Sequence, residues 1–229
     1  IQDRAGFDDM VGQSTLTLVS ANGGTKVRVF KMASRRNDEG ETDMILFMEA
    51  PADMRGNGFL MLGHEGRDDD RYIYVPALRR VNKIVGAGRG GAFMSSDFSI
   101  DDIGRPDLDE WTWTFAGEEE VDGHACRKVE ATPVSDKVAR ETGYTKVVWY
   151  VDTVLKTSRA ADYYDKQGVQ FKRMDVAEIQ DLNGVPFATD MTMKHLGTNH
   201  TSRMTMEDLS VDSGADPTWF THRTLQNGF

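Results

Sequence analysis

The sequence has almost no cysteine, no long apolar run and no excess of positive charge, and each lack removes a class of function. A single Cys126 among 229 residues leaves no partner for an intramolecular disulfide and too few thiolates for a multi-cysteine zinc site. No unbroken apolar run exceeds that of Met44-Ile45-Leu46-Phe47-Met48, far below the roughly 20 residues of a membrane-spanning helix. Lys plus Arg number 27 against 37 Asp plus Glu, a net charge of −10. Nucleic-acid phosphates and anionic membranes both select a basic surface, so neither is an expected partner; contact with a membrane is at most peripheral. The chain opens at Ile1 without Met, as a mature protein or a trimmed one does. Proline is also scarce, at 6 residues, whereas 22 Gly suit many turns and 12 Met is high for this length.

What is present is alternation. Apolar and polar residues exchange places along Ser14 to Ser20, Lys26 to Ala33, Arg71 to Val75 and Arg80 to Val85, while Asp43 to Ala50 and Gly58 to His64 read as strands of continuous apolar character. The pattern resumes at Trp111 to Gly117, Cys126 to Pro133, Thr145 to Asp152, Lys156 to Tyr164, Val169 to Ile179, Pro186 to Leu196 and Thr201 to Val211. Turn residues such as Asn22-Gly23-Gly24 and Asp165-Lys166-Gln167-Gly168 separate them. About a dozen short strands at this spacing predict a mainly β chain, one antiparallel sheet strongly curved or closed. Nothing in the composition divides residues 1–229 into separate domains. The one predicted helix covers Ser95 to Ile103, with Ser96 as N-cap and Gly104 and Pro106 as its stop.

The usual signatures of chemistry are weak. Gly86, Gly88 and Gly91 fit G-x-G-x-x-G, but no crossover helix follows, so a mobile loop is the better reading and no cofactor is expected. His64, His124, His195, His200 and His222 show no metal-ligand spacing, and Asp68-Asp69-Asp70 and Glu118-Glu119-Glu120 lack the calcium-loop pattern, so no metal is expected either. Ser95 and Ser96 stand outside any nucleophile elbow. His124 and Cys126 share a strand face with nothing to complete a triad, so the chain does not read as an enzyme. Large apolar residues do align: Trp111, Trp113 and Phe115; Met191 and Met193; Met204 and Met206; Tyr72 and Tyr74. Two readings fit them, an ordinary sheet core or the adaptable lining of a cavity for acyl chains.

The stretch from Arg71 to Ile103 resembles the LolA-like family of outer-membrane lipoprotein-sorting proteins. Tyr72, Tyr74, Pro76, Ala77 and Leu78 fit its Y-x-Y-x-P-A-L strand, followed by the basic Arg79 and Arg80. Phe93 to Ile103 fits its F-M-G-S-D-F-S phrase, with Ser95 where Gly is usual and Ile100 where an aromatic is usual. Weaker matches extend the likeness from about Val27 to Leu225, including Glu120 to Gly123, Tyr144 to Asp152, Ala161 to Gly168 and Phe220 to Leu225.

The resemblance implies an open, incomplete β-barrel shaped as a half-pipe, a single LolA-like domain over residues 1–229 with a few short helices as a lid. It implies a periplasmic protein of a Gram-negative bacterium whose signal peptide has been removed. The implied role is a carrier of acyl chains, of a lipoprotein or another lipid, between inner and outer membrane, beside an inner-membrane export transporter. On this reading Leu16, Leu18, Leu46, Met48, Met61, Tyr74, Trp111, Trp113, Phe115, Trp149, Met191, Met193, Met204 and Met206 line the cavity. Gly86 to Ile103 is the lid, with Phe93, Met94, Phe98 and Ile100 as its plug, and Arg79 and Arg80 meet a lipid headgroup. The rival classes are a lipid- or envelope-stress-sensing module that binds a partner protein, a packed scaffold, and an enzyme.

Overall fold

The computed structural model describes residues 6–104 and 107–229. Pro106, the expected helix stop, and Ile1 lie outside the described residues. Thirteen antiparallel strands form one sheet: β1 (Asp9–Val19), β2 (Thr25–Arg36), β3 (Thr42–Ala50), β4 (Gly58–Leu62), β5 (Asp70–Val75), β6 (Arg80–Ile84), β7 (Trp111–Val121), β8 (His124–Pro133), β9 (Lys146–Asp152), β10 (Ser158–Tyr164), β11 (Gln170–Leu182), β12 (Val185–His195) and β13 (His200–Val211). Their order in space is β6-β5-β4-β3-β2-β1-β13-β12-β11-β10-β9-β8-β7. Every consecutive pair of strands except β6 and β7 therefore lies side by side, β1 also meets β13, and the sheet is not closed into a barrel: β6 and β7 are its two edges.

Turn chemistry sets the hairpins. Asp122-Gly123 and Asn183-Gly184 each join two strands through a two-residue loop with both φ positive, 48° and 79°, 51° and 85°. That is the I′ geometry matching strand twist, and Asn-Gly and Asp-Gly are the pairs that adopt it most easily. In the longer β10–β11 turn, the Asp165 carboxylate accepts from the amides of Gln167 and Val169, both at 2.9 Å.

Two compact units are distinguishable. Unit I holds Thr17–Lys26 and Gly86–Met204; unit II holds residues 6–16, Val27–Val85 and Thr205–Phe229. In unit I, Cα partners repeat across β7 to β12, so whole rows share a face. One row runs Phe115, Val129, Trp149, Ala161, Met174, Met193. The next runs Trp113, Ala131, Val147, Tyr163, Lys172, His195. The other face carries a small core of Val121, Cys126, Val148, Tyr150 and Ala160.

In unit II one face takes Met32, Leu46 and Phe59 as direct partners, and Met44 with Met61. The other face takes Ala33, Ile45, Leu60 and Tyr72, beside Phe47, Gly58 and Tyr74. A short C-terminal helix, α2 (His222–Asn227), covers that second face, and Phe220 and Leu225 complete its core. Gly58 is required there: a Cβ would lie 2.6 Å from Leu225 Cδ1 and 3.2 Å from its carbonyl oxygen.

Helix is scarce, as the alternation predicts, but it falls elsewhere. The expected helix over Ser95 to Ile103 is absent; two single 3-10 turns, Phe93–Ser95 and Asp101–Ile103, stand there, with a bridge between Ala92 and Ser99. Ser96 is not an N-cap. Its hydroxyl donates to the carbonyls of Phe93 at 2.6 Å and Phe98 at 3.3 Å. Short polar side chains that bond neighbouring backbone compete with a helix, and here they win. Two helices went unread, α2 and α1 (Asp136–Thr142), the latter capped by Ser135 and ended by Gly143 at φ 82°. No helix among the described residues is long and apolar enough to cross a membrane.

Candidate functional site

The apolar rows of unit I change character along their length. Phe115, on the edge strand β7, is 62% exposed, and Val129 and Trp149 are half-buried. Ala161, Met174 and Met193, further along the same row, are buried. In the second row Trp113 is half-buried, its indole N–H donating to the Leu108 carbonyl at 3.1 Å, whereas Tyr163 and Lys172 are buried. The face is thus open toward β7 and covered toward β12.

The buried end of the second row holds a cation. Lys172 Nζ donates to Tyr144 Oη at 2.7 Å, to the Asp97 carbonyl at 2.8 Å and to Asp102 Oδ2 at 3.3 Å, which uses its three protons. The ammonium also lies 5.0 Å from the Tyr144 ring centre and 5.5 Å from those of Tyr163 and Phe171. Tyr144 in turn donates its hydroxyl hydrogen bond to the Asp102 carboxylate at 2.8 Å, which also accepts from the Ser99 amide at 2.7 Å. Burial, reinforced by the Asp102 charge, pushes the Tyr144 phenol well above its ordinary range, so it remains a donor.

Both Asp97 and Asp102 belong to residues 86–103, and that whole segment is tied to unit I by polar groups. The Asp97 carboxylate takes Ser202 Oγ and His200 Nδ1, each at 2.7 Å. Arg89 grips Glu110 with two nitrogens at 2.8 and 2.6 Å and Asp101 at 2.9 Å, with Glu141 of α1 at 3.6 Å. Burial opposes the Arg89 charge, but Glu110 and Asp101 outweigh it and hold the guanidinium above its ordinary value. Gly90 lets the segment approach α1, since a Cβ would stand 2.8 Å from the Thr142 carbonyl oxygen. Phe93 and Phe98 are buried; Met94 and Ile100 are half-buried. Met94 and Ser95 have φ of 47° and 59°, the left-handed region that favours glycine.

The other residues singled out from the sequence divide. Trp111, Trp113, Phe115, Trp149, Met191 and Met193 all lie on the one face of unit I, Met191 opposite Val176. Met204 is buried and keeps the parity of Ser202, which bonds Asp97; Met206, two residues on, is half-buried. Leu46, Met48 and Met61 are buried on one face of unit II. Leu16 and Leu18 are buried on β1. Tyr74 lies on the other face of unit II, beneath α2, beside a polar and apolar cavity of about 500 Å³ that Phe47, Lys31, Arg55 and Phe229 also line. Arg79 and Arg80 are exposed at a left-handed turn, Arg79 φ 47°.

None of the anchoring residues Arg89, Asp102, Tyr144 or Lys172 was singled out from the sequence. Lys172 had a signal: it shares strand parity with Met174 and Val176, so an ionic group sits on an apolar face. Its partners lie 28 and 70 residues away, beyond the reach of any local pattern.

The chain is similar over nearly its whole length to several solved structures. A crystal structure of a DUF1329 family protein from Desulfovibrio piger matches it with a TM-score of 0.89 and 28% identity, over 97% of this chain and 93% of that one. A protein described as an outer-membrane lipoprotein-sorting protein domain, from Vibrio parahaemolyticus, also reaches 0.89, at 24% identity over 97% and 93%. A LolA-superfamily protein from Nitrosomonas europaea gives 0.75 at 17% identity over 97% and 94%. No curated protein matches the sequence. A protein-family model described as that of an uncharacterized "-like" protein matches residues 40–227, most of the chain. The chain belongs to that family, and its fold is that of the DUF1329 and LolA-superfamily structures.

Proposed function

We propose that this protein is a periplasmic carrier that shields the acyl chains of a lipoprotein or another lipid on its way from inner to outer membrane. The observation that carries the reading is the unit I face. Trp113, Phe115, Val129 and Trp149 offer an apolar surface to solvent, continuous with a buried part that residues 86–103 accompany. The single ladder of thirteen strands, and the relatives' fit over nearly the whole chain, support treating residues 1–229 as one LolA-like domain. An inner-membrane export transporter is the proposed donor, and no catalytic step is part of the reading.

Residues 86–103 serve as the lid in this scheme. Opening separates Lys172 from Asp102 and hydrates both charges, a loss of about 1.5–3 kcal/mol, the net worth of a hydrogen bond to a charged group. It also uncovers Phe93 and Phe98, at about 1.5–3 kcal/mol each. A buried methylene returns about 0.8 kcal/mol, so roughly ten methylenes offset the opening. Acyl chains much shorter than that should not hold the lid open, and cargo release is the same balance run backwards.

Native mass spectrometry of gently purified protein, with solvent extraction of anything bound, tests the reading directly. Near-stoichiometric lipid or acylated peptide is the expected result. Replacing Trp113 and Met193 by Asp together should abolish uptake of an added phospholipid or lipopeptide. Full uptake by that double variant, shown folded by circular dichroism, rejects this face as the binding surface.

A further inference from the structure

Four cationic side chains are buried among the described residues: Arg28, Arg71, Arg89 and Lys172. Three face a carboxylate, Arg71 at 3.0 Å from Asp69, Arg89 at 2.9 Å from Asp101 and Lys172 at 3.3 Å from Asp102. Arg28 is different. It is 6% exposed, and its Nε and Nη1 are sealed from solvent with no acceptor among the described residues. Two of its three guanidinium nitrogens are thus out of water without a partner, and part of an ionised group left so is costly to a fold.

Its neighbours are hydrocarbon. Arg28 keeps the parity of Phe30 and Met32 on β2, and Phe30 pairs with Met48. The β1–β2 hairpin pairs Ser20 with Gly24 at its tip and Arg36 with Asp8 at its open end. Both pairs imply one register, which puts Arg28 opposite Leu16. Leu16, Phe30 and Met48 are each at most 2% exposed. Burial pulls the Arg28 guanidinium below its ordinary value, but arginine starts so far above neutrality that it keeps its charge.

We propose that Arg28 is the binding site for an oxyanion carried on a hydrocarbon chain, a carboxylate or a phosphate of an acidic amphiphile; this rests on the carrier reading above. The guanidinium supplies charge-assisted donors that suit either oxyanion. Leu16, Phe30 and Met48 supply the apolar contacts for the chain beside it. Arg28 then does what Arg79 and Arg80 were expected to do, from a buried position rather than an exposed one.

The test compares ligands of one chain length, dodecanoate and dodecanol, with inorganic phosphate as the free anion, by calorimetry on the whole chain. Wild-type protein should bind dodecanoate at least about tenfold more tightly than dodecanol, the size expected of a charge-assisted hydrogen bond. Arg28→Met should bind both alike, at the wild-type dodecanol affinity, and should melt no lower than wild type because it removes an unpaired charge. A clearly lower melting temperature would mean that the guanidinium already has a stabilising partner, and overturns the proposal. Undiminished preference for dodecanoate in Arg28→Met overturns the site and leaves the carrier reading standing. Arg28-dependent binding of inorganic phosphate overturns the amphiphile as the source of the anion. Failure of wild type to bind either chain overturns both the site and the carrier reading.

Discussion

Each unit has a covering segment, and the two are held by different forces. In unit II the C-terminal segment is held mainly by apolar packing: Leu225 is fully buried over Gly58, Phe220 joins the core, and the Phe229 ring lies 5.3 Å from Phe47 and 4.9 Å from Trp219. In unit I residues 86–103 contribute Phe93 and Phe98 to the interior but are fastened by Arg89, Asp97, Asp101 and Asp102. Apolar burial is non-directional and is lost only by exposing surface to water. A buried ionic network is directional: it holds one geometry, and its parts can exchange their partners for others. The first arrangement suits a permanent core. The second suits a segment that must return to the same place after each release.

The largest expected effect comes from breaking the ionic fastening. Lys172→Met leaves the Asp102 carboxylate buried without its ammonium, at about 3–5 kcal/mol. Hydrogen exchange should show protection falling in residues 86–103 while α2 keeps its own; an equal fall in both would break the comparison. Next is the apolar cover. Leu225→Ala should lower global stability by about 2–5 kcal/mol, and Gly58→Ala, which drives a Cβ into Leu225, by about 1–3 kcal/mol. In denaturant titrations the double variant should lose less than the sum, because the smaller side chain makes room for the Cβ; strict additivity would mean that the two residues do not touch.

The smallest effect sharpens the contrast through pH. Burial works against ionising Asp70, but hydrogen bonds from Lys83, Arg67 and His64 outweigh it and hold the carboxyl at about 2, below its ordinary 3.8. A folded-state value below the unfolded one means stability is present above about pH 4 and is lost as pH falls toward about 2. Asp70→Asn should flatten that part of the melting-temperature profile. An unchanged profile would show that the Asp70 cluster of unit II does not contribute.

Much of the sheet was legible. Each of the thirteen strands overlaps a segment read from the sequence: most alternate, because one face is packed and side chains exchange faces at every residue, whereas β3 and β4 are short apolar runs buried on both faces. The five aligned residues of β7 and β12 were legible as parity within a strand, and the register shows that the two parities meet on one face, with Trp149 of β9 in the row between them. Tyr74 shows the limit: alternation places it with Tyr72 but does not say which face of the sheet that pair joins. The helices were not legible, since α1 has 7 residues and α2 has 6, too few for a period to emerge. The segment from Ser95 to Ile103 was misread because its serines and aspartates suit a helix start and a bonded turn equally well.

The sequence by itself determined the strand content, the positions of the hairpins and the family, because these depend on residues close together in the chain: parity, turn pairs and a contiguous motif. Only the tertiary structure decided which faces are covered, that Lys172, Tyr144 and Asp102 meet, and that two nitrogens of Arg28 are sealed with no acceptor among the described residues. Those are properties of groups from separate strands brought into a low-dielectric interior, where a charge is costly or useful according to neighbours that no local window contains.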